Sequence, residues 1–493
     1  MSSTKTKAGI KWSVIDQVVK QLITLIISGI LSRLLTPAEY GLLGMITVAI
    51  GFLQVFRDMG LGSSIIRKQE ISATEQSSIF WLNMAVGCLL MLLLMLAAPL
   101  LANFFKEPRL TLLVRVMSLN FVMGAMTVVP DALIQKAIDF KSYFYRNLGT
   151  VLAGGILGIW LAYKGFGVWA LIGQSLLTTI TGVIISFRMV KWRPRWVFNK
   201  ALLKNHMKYS MPLLGDSTIN YWVRNIDNLL VGKFLGASLL GIYNRAYSLM
   251  LLPVRQISVT LTRVMFPSFA IIQHDSGKMW DQYGKMMSLV AMISFPLMSF
   301  LGVYANEVIF IVYGSGWLEV VPLFKIFCFL GAIQSVATLS GSVFYATGRT
   351  ALMFKVGLVS KALMIIGIAG GLFYGRLLGM VWGYVISSTF AFLIESYFVS
   401  HVLLNKLRDF FLNIIPEVLA SLLSMLLLLF AKYWYKSSEN SLTASFMGFH
   451  FIAAFFTLVL YIYLLKRLNS KGFKLLMKNI YAKKGTYTSP DDR

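Results

Sequence analysis

Long apolar runs without a single charge recur along this chain. The stretch "VGCLLMLLLMLAAPLLANFF" (86–105) is 20 residues long and contains no charged residue. The stretch "VLASLLSMLLLLFA" (418–431) repeats the pattern near the C-terminus. A helix needs about 20 apolar residues to cross a hydrocarbon core of about 30 Å. The chain is 57% hydrophobic and 13% charged, whereas soluble domains carry about 25% charged residues. These runs indicate a membrane protein, and they lack the alternating pattern of a β-barrel.

The apolar windows predict an all-α, polytopic membrane protein with about 14 transmembrane helices. The approximate spans are 9–35, 39–58, 78–104, 110–130, 145–163, 166–190, 209–235, 239–266, 283–305, 318–346, 351–373, 377–404, 411–435 and 444–466.

The excess of positive charge predicts how the chain is oriented. Lys and Arg number 46 against 20 Asp and Glu, for a formal net charge of +26. The positive residues form short clusters between the spans, not the continuous basic face that nucleic acid requires, so no nucleic acid partner is expected. Because Lys and Arg collect on the cytoplasmic side of inner-membrane proteins, both termini are predicted to be cytoplasmic. The same rule places Arg193 and Tyr481 inside and Lys106, Lys164 and Glu439 outside.

Motifs of catalysis and of cofactor binding are missing from the sequence. It has no Walker phosphate loop, no H-E-x-x-H and no G-x-S-x-G, and its four histidines are scattered. Cys88 and Cys328 lie within apolar spans and form neither a disulfide framework nor a metal motif. No cleavable signal peptide is expected, because Asp16 and Lys20 interrupt the first apolar stretch. We therefore expect a protein that is not an enzyme and that holds no cofactor or metal.

Two parts of the sequence repeat each other. "LSRLLTPAEYGL" (31–42) aligns with "VGKFLGASLLGI" (231–242) at an offset of 200, which matches Gly41 to Gly241. Two copies of six helices have the same orientation, as in transporters built from parallel repeats. The predicted organisation is an N-terminal repeat (1–190), a basic cytoplasmic linker (191–208), a C-terminal repeat (209–404), two additional helices (405–466) and a basic cytoplasmic tail (467–493).

Charged residues occur in the middle of the first helix of each repeat. Asp16 and Lys20 belong to a polar stripe about 120° wide, and Asp216, Arg224 and Asp227 fall within about 80° of one another, at about 100° per residue. A charge at the bilayer centre costs about 2.5–3.5 kcal/mol on insertion scales, so a stripe that faces lipid is unfavourable. The two stripes predict a polar cavity between the halves.

The candidate site contains two kinds of charged residue. The cations are expected to bind a phosphate group of the substrate, and the acids are candidates for ion coupling or for pairing. Lys and Arg form charge-assisted hydrogen bonds to phosphate, and those of Arg are bidentate. The cations expected to bind substrate are Lys20, Arg57, Arg224 and Arg255. The acids, which are candidates for ion coupling or pairing, are Asp16, Asp216 and Asp227. Structural pairing is the alternative, since Asp16–Lys20 are spaced i,i+4 and Arg224–Asp227 are spaced i,i+3.

The segment that follows these charges carries a family resemblance. "LLGIYNRAYSLMLLPVRQISVTLTRVMFPSFAIIQHD" (239–275) resembles the signature of Wzx-type polysaccharide exporters, in the colanic-acid and teichuronic-acid branch. "LSRLLTPAEYGLLGMITVAIGFLQVFRDMGLGSSIIRK" (31–68) looks like the first repeat of that family, including the Asp-x-Gly at Asp58 and Gly60. The matching signature residues are Gly241, Tyr243, Ala246, Tyr247, Pro253, Phe266 and Pro267. The resemblance covers most of the first twelve predicted helices.

The resemblance implies both a fold and a function. The fold would be that of the multidrug, oligosaccharidyl-lipid and polysaccharide exporters, a V-shaped pair of bundles with the first, second, seventh and eighth helices around the cavity. The function would be to turn an oligosaccharide repeat unit on undecaprenyl pyrophosphate to the outer leaflet of the bacterial inner membrane. Lys20, Arg57, Arg224 and Arg255 match the kind of cavity cation that such flippases use. The resemblance also implies a polysaccharide polymerase and chain-length machinery as partners, besides membrane lipids.

Two other functions compete with this interpretation. A cation-coupled small-molecule exporter of the same fold is expected if Asp16 and Asp216 dominate the cavity. A cell-envelope enzyme is the second rival, but such enzymes usually display a large extracytoplasmic loop, and the predicted outer loops are short.

Overall fold

The computed structural model describes residues 3–58, 61–137, 140–199, 218, 221–222, 224–435 and 444–485. In this described part all regular structure is helical and no strand occurs. The prediction of an all-α polytopic membrane protein is confirmed. The helices are α1 (Ser3–Leu34), α2 (Pro37–Asp58), α3 (Leu61–Arg67), α4 (Ala73–Phe105), α5 (Leu110–Lys136), α6 (Phe140–Tyr163), α7 (Val168–Met189), α8 (224–235), α9 (Ala237–Ile271), α10 (Ser276–Val303), α11 (Ala305–Tyr313), α12 (Val320–Ala337), α13 (Ser340–Ala346), α14 (Thr350–Val402), α15 (Leu407–Leu412), α16 (Ile415–Trp434), α17 (Ala444–Arg467) and α18 (Lys471–Gly485).

Ten helical stretches of the described residues are long and apolar enough to cross a membrane. One of them, Thr350–Val402, has non-helical backbone at Gly375 and Arg376 and therefore holds two helical arms. The arms correspond to the predicted spans 351–373 and 377–404. α6 and α9 are continuous helices that correspond to two further predicted spans. They are more polar than the ten membrane-spanning stretches. The predicted span 209–235 lies partly outside the described residues.

Glycines bring the two arms of α14 into contact. A Cβ built on Gly371 would lie 2.2 Å from the carbonyl oxygen of Gly379, and one on Gly383 would lie 2.0 Å from the oxygen of Gly367. Gly367 and Gly371 are four residues apart, as are Gly379 and Gly383, which is the small-xxx-small spacing of closely packed membrane helices. A tight turn at Gly375 thus converts one long helical segment into a hairpin.

The distribution of side chains is that of a protein in lipid. Leu96 is 78% exposed and Phe451 is 81% exposed, whereas Ser78 and Ser335 are fully buried. Buried hydroxyls donate to the helix backbone one turn earlier, as Ser78 Oγ does to the carbonyl oxygen of Thr74 at 2.8 Å. Lipid solvates the apolar exterior, while polar groups must find partners inside the protein.

The chain forms two compact units. Unit 1 comprises residues 1–244 and 312–317, and unit 2 comprises residues 245–311 and 318–493. Unit 1 contains α1 to α8 and the first residues of α9, so it holds elements from both predicted repeats. The units and the sequence repeats are different divisions of the chain, and the repeat boundaries stay a prediction.

Helix pairs with small residues at their contacts build unit 1. α4 packs along α5, and α6 packs along α7 and α1. A Cβ on Gly154 of α6 would lie 1.9 Å from Thr178 Oγ1 of α7, so this close approach requires glycine. A buried apolar cluster of α3, α4 and α5 includes Leu61, Phe80 and Val129.

Unit 2 is arranged around α10. This helix contacts α12, α16 and α18. Tyr283 of α10, Phe344 of α13 and Phe410 of α15 belong to one buried apolar cluster. α16 and α17, which correspond to the two additional helices of the prediction, pack against each other.

Local sequence signals define where helices begin. Thr36 precedes Pro37 at the start of α2, and its backbone N–H donates to Glu39 Oε2 at 2.6 Å. Ser72 caps α4 by accepting the N–H of Glu75 at 3.2 Å. In the short connection between α4 and α5, the guanidinium of Arg109 donates to Glu107 at 2.7 Å and lowers the pKa of that carboxyl.

Candidate functional site

The polar stripe of α1 contains a half-buried acid, Asp16, and an exposed cation, Lys20. Asn147 of α6 donates its Nδ2 to both carboxylate oxygens of Asp16, each at 3.1 Å. Lys20, one turn later, is exposed. Among the described residues these two groups form no ion pair, so the alternative of an Asp16–Lys20 pair is not realised. Asp16 is directed to α6 because an amide inside the unit can satisfy its charge.

Next to Asp16 lies a cluster of charged and polar side chains that sequence reasoning missed. Arg146 of α6 donates through Nη2 to Asp131 of α5 at 2.7 Å and through Nε to Ser186 Oγ of α7 at 2.6 Å. The Ser186 hydroxyl donates to Asp131 at 2.7 Å, and Arg146 Nη1 donates to Asn147 Oδ1 at 3.0 Å. We call Asp16, Asp131, Arg146, Asn147 and Ser186 the four-helix polar cluster, since it joins α1, α5, α6 and α7.

The arginine of the four-helix polar cluster is fully engaged by protein acceptors. Arg146 and Asp131 are 13% and 19% exposed, and each guanidinium nitrogen of Arg146 has an acceptor from the protein. An arginine so engaged is poorly placed to bind a phosphate. With two acids and one base the cluster carries a formal charge of −1, which rests on Asp16. The sequence signal that could have found it is the pair of charges, Asp131 and Arg146, at facing ends of two apolar runs.

The alternative of an Arg224–Asp227 ion pair is not realised in the structure. Asp227 of α8 is 4% exposed and accepts the hydroxyl of Tyr243 at 2.6 Å and the N–H of Asn228 at 2.8 Å. Arg224 is exposed. A buried carboxylate that already has two donors needs no guanidinium, and Arg224 avoids the cost of desolvation by staying outside. Asp216, the third predicted acid, lies outside the described residues.

Arg57 is positioned by a glycine of a neighbouring helix. A Cβ on Gly124 of α5 would lie 2.3 Å from Arg57 Nη1 and 3.2 Å from its Cζ. The Arg57 guanidinium therefore occupies the space that a side chain at position 124 would need. Arg57 is half-buried, which sets it apart from the exposed Lys20 and Arg224.

Aromatic contacts join α2 to residues 221–222, which precede α8. The ring of Phe52 lies 4.9 Å from that of Trp222 and 6.1 Å from that of Tyr221. Tyr221 donates its hydroxyl to the carbonyl oxygen of Val48 at 2.6 Å. Arg57 lies five residues after Phe52 on α2, and Arg224, the first residue of α8, lies two residues after Trp222. We call Phe52, Tyr221, Trp222, Arg57 and Arg224 the aromatic–cation face.

The structure thus brings some predicted site residues into one unit and not others. Lys20, Arg57 and Arg224 belong to unit 1, and Arg255, which is exposed on α9, belongs to unit 2. The role of all four in binding a substrate stays a prediction.

A direct backbone contact occurs at the opposite end of α2. A Cβ on Gly41 would lie 1.6 Å from the carbonyl oxygen of Ala237, and one on Gly241 would lie 1.9 Å from the oxygen of Pro37. Position 237 corresponds to position 37 at the offset of 200 residues, and position 241 corresponds to position 41. The two contacts therefore join equivalent positions in the reverse order. We call these four residues the glycine contact. Gly41 and Arg57 are 16 residues apart, or about 24 Å along the helix.

A tryptophan adds to the packing near the glycine contact. Trp317 is 2% exposed and donates its indole N–H to the carbonyl oxygen of Ser32 at 2.6 Å. Its ring lies 5.4 Å from that of Tyr40. Ser32, Tyr40 and Trp317 are thus buried at this end of α1 and α2.

Taken together, the many helices long and apolar enough to span a membrane and the polar residues inside unit 1 define a polytopic membrane protein. Its fold is similar to that of a solved structure described as "Lipid II flippase MurJ, inward closed conformation", with a TM-score of 0.72 over 92% of this chain and 98% of that chain, at 14% identity. This likeness concerns the fold alone.

The family is shown by the sequence. Residues 30–322 match the model of the family described as "Polysaccharide biosynthesis protein", and the chain belongs to that family. It is 29% identical to the teichuronic acid biosynthesis protein TuaB of Bacillus subtilis (strain 168), over 84% of this chain and 86% of TuaB. It is also 29% identical to the lipopolysaccharide biosynthesis protein WzxC of Escherichia coli (strain K12), over 83% and 84% of the two chains. The resemblance stated from the sequence is confirmed.

Proposed function

We propose that this protein translocates undecaprenyl-pyrophosphate-linked oligosaccharide repeat units across the bacterial inner membrane, for the synthesis of a surface polysaccharide. The names of its relatives, which concern teichuronic acid and lipopolysaccharide biosynthesis, support a glycan substrate. The likeness of its fold to a lipid II flippase supports a lipid-linked one. Transport, and not catalysis, is the proposed activity.

The observation that carries this proposal is the contact of Phe52 with Tyr221 and Trp222, which have Arg57 and Arg224 within five residues of them in the sequence. A lipid-linked sugar presents a pyrophosphate and sugar rings together, and it needs cations and aromatic walls at the same place. Arg57 and Arg224 supply the cations, and Phe52, Tyr221 and Trp222 supply the aromatic surface. Lys20 and Arg255 are proposed to contact the same head group during transport.

The proposed mechanism is alternating access without ATP. A polar head group cannot cross about 30 Å of hydrocarbon unaided, so its path must open to each side of the membrane in turn. The glycine contact supports a state that is closed at one end of α2, and transport would require this contact to separate. The repeats 1–190 and 209–404 are proposed as the two moving halves. Asp16 and Asp216 are the proposed sites of ion coupling.

The proposed orientation places both termini in the cytoplasm, together with the linker 191–208 and the tail 467–493. The product would then reach the outer leaflet, where a polymerase and its chain-length machinery are the proposed partners that take it up.

Depletion of the protein in its host tests this proposal. Lipid-linked repeat units should accumulate on the cytoplasmic leaflet and the surface polymer should be lost, as measured with a membrane-impermeant lectin on spheroplasts and on inverted vesicles. Re-expressed wild type should restore export, and the double variant Arg57→Ala/Arg224→Ala should not.

The matched control is Arg349→Ala/Arg408→Ala, which removes two exposed arginines of unit 2 and should export normally. If the repeat units reach the outer leaflet of depleted cells and only the length of the polymer changes, the protein is a polymerase or a regulator and the proposal fails.

A further inference from the structure

The last described helix is basic and begins directly after a membrane span. The span in α17 ends at Arg467, and α18 begins at Lys471. At about 100° per residue, Lys471, Lys474 and Lys478 fall within about 60° of one another on α18. Because only a few residues separate the two helices, α18 must lie close to the membrane surface at which α17 ends.

A buried carboxylate holds the first turn of α18. Glu417 of α16 is fully buried and accepts the hydroxyls of Ser288 and Ser470, the latter at 2.6 Å. Ser470 in turn accepts the N–H of Phe473 at 3.1 Å, and Ser288 accepts the N–H of Gly472 at 2.7 Å. Ser288 and Ser470 thus connect backbone N–H groups at the N-terminus of α18 to the carboxylate of Glu417. The helix dipole also favours a negative charge at this end of the helix.

A glycine brings α18 against the backbone of α10. A Cβ on Gly472 would lie 2.6 Å from the backbone nitrogen of Leu289, so no other residue fits there without displacement. Together with the Glu417 network, this contact sets the rotation of α18 about its own axis. Lys474 and Lys478 are exposed in that orientation, and Leu476 between them is 40% exposed.

A cavity of about 230 Å³ lies between the end of α17 and α18. Lys466 and Lys474 are its two cations, and Asn469 lies between them in sequence. Its apolar wall is formed by Leu465, Phe473 and Met477. All of these residues belong to unit 2, and none of them is part of the aromatic–cation face.

We propose that this cavity binds the phosphate head group of an anionic phospholipid from the leaflet at which α17 ends. Lys466 and Lys474 contact the phosphate, and Phe473 and Met477 pack against the first carbons of an acyl chain. A cationic rim on an apolar wall, at the level of the head groups, matches an anionic lipid better than a soluble polyanion. The lysines of α18 add attraction to the negative membrane surface.

Lipid retention by the purified full-length protein tests the proposal. Native mass spectrometry in a neutral detergent would compare phosphatidylglycerol, phosphatidylcholine and inorganic phosphate at equal concentration. We expect the wild type to retain phosphatidylglycerol several-fold more than phosphatidylcholine, and to be unaffected by phosphate. Lys466→Gln/Lys474→Gln should remove this preference.

The control is Lys355→Gln/Lys406→Gln, which makes the same change of charge at exposed lysines outside the cavity and should leave the preference intact. A second readout is the melting temperature of the wild type, which phosphatidylglycerol should raise and phosphatidylcholine should not. The single variant Lys474→Gln serves if the double variant does not fold. Equal retention of the two lipids by the wild type, or equal losses in the cavity and control variants, would overturn the proposal.

Discussion

Three buried or half-buried acids of the described residues are satisfied by hydroxyl and amide donors. Asp227 takes the hydroxyl of Tyr243, Glu417 takes those of two serines, and Asp16 takes the amide of Asn147. Neutral donors satisfy a carboxylate without burying a second charge, which avoids the large desolvation cost of an ion pair. Asp131, which faces Arg146, and the buried Glu75, which accepts from Lys68 at 2.7 Å, are paired with cations instead.

Arg224 is the residue whose predicted role is simplest to test. Because its side chain is exposed and Asp227 takes other donors, Arg224→Ala should leave the folded protein intact. It should reduce export by at least an order of magnitude if the guanidinium binds phosphate. Arg224→Lys should keep part of the activity, since the charge remains and the planar fork is lost. The measurement is lipid-linked substrate reaching the outer leaflet, normalised to protein in the membrane, and wild-type export by Arg224→Ala would reject the role.

Substitution of Arg146, unlike that of Arg224, should destabilise the folded protein. Arg146→Ala leaves the mostly buried Asp131 without its cation, and breaking such a pair costs about 3–5 kcal/mol. We expect a clear fall in melting temperature in detergent, and a smaller one for Arg146→Ala/Asp131→Ala because no uncompensated charge remains. Equal melting temperatures of Arg146→Ala and wild type would show that the cluster does not stabilise the fold.

At the level of helices, α2 connects two different environments. One end carries the glycine contact, and the other carries Phe52 and Arg57 of the aromatic–cation face. Its start is specified locally by Thr36, Pro37 and Glu39. Its length of 22 residues is what separates the two environments.

Enlarging the glycine contact should separate the helices that meet there. A Cβ on Gly41 or Gly241 would lie less than 2 Å from a backbone oxygen, which no side-chain rotation can relieve. Gly41→Leu and Gly241→Leu are therefore expected to disfavour this state and to raise the labelling of a cysteine at Thr36 several-fold. Gly357→Leu is the control, because that helical glycine has open space around it. Unchanged labelling in both test variants would mean that the contact does not close this end.

For the molecule as a whole, the orientation in the membrane is open to direct measurement. The predicted topology places residue 193 in the cytoplasm and residue 164 outside, because Lys and Arg cluster on one side of the spans. A membrane-impermeant thiol reagent applied to intact cells should label a cysteine at 164 and not one at 193. The reverse pattern would invert the topology and with it the proposed direction of transport.

Two features of the fold were readable from residue order because they depend on neighbours along the chain. The spans follow from apolar runs, and even the turn of the α14 hairpin at Gly375 falls between two predicted spans. The glycines matched at an offset of 200, Gly41 and Gly241, both belong to the glycine contact, while the division of the chain into two repeats stays a prediction.

Which polar groups meet was decided only by the tertiary structure. Periodicity placed Asp227 and Arg224 on a common arc of one helix, yet the acid turned to Tyr243 of the next helix. The four-helix polar cluster joins residues as far apart as Asp16 and Asn147, and no spacing along the chain predicts that contact. A helical stripe gives the direction of a side chain to within tens of degrees, whereas a hydrogen bond requires its partner within about 3 Å. The packing of neighbouring helices supplies that precision, and local sequence does not encode it.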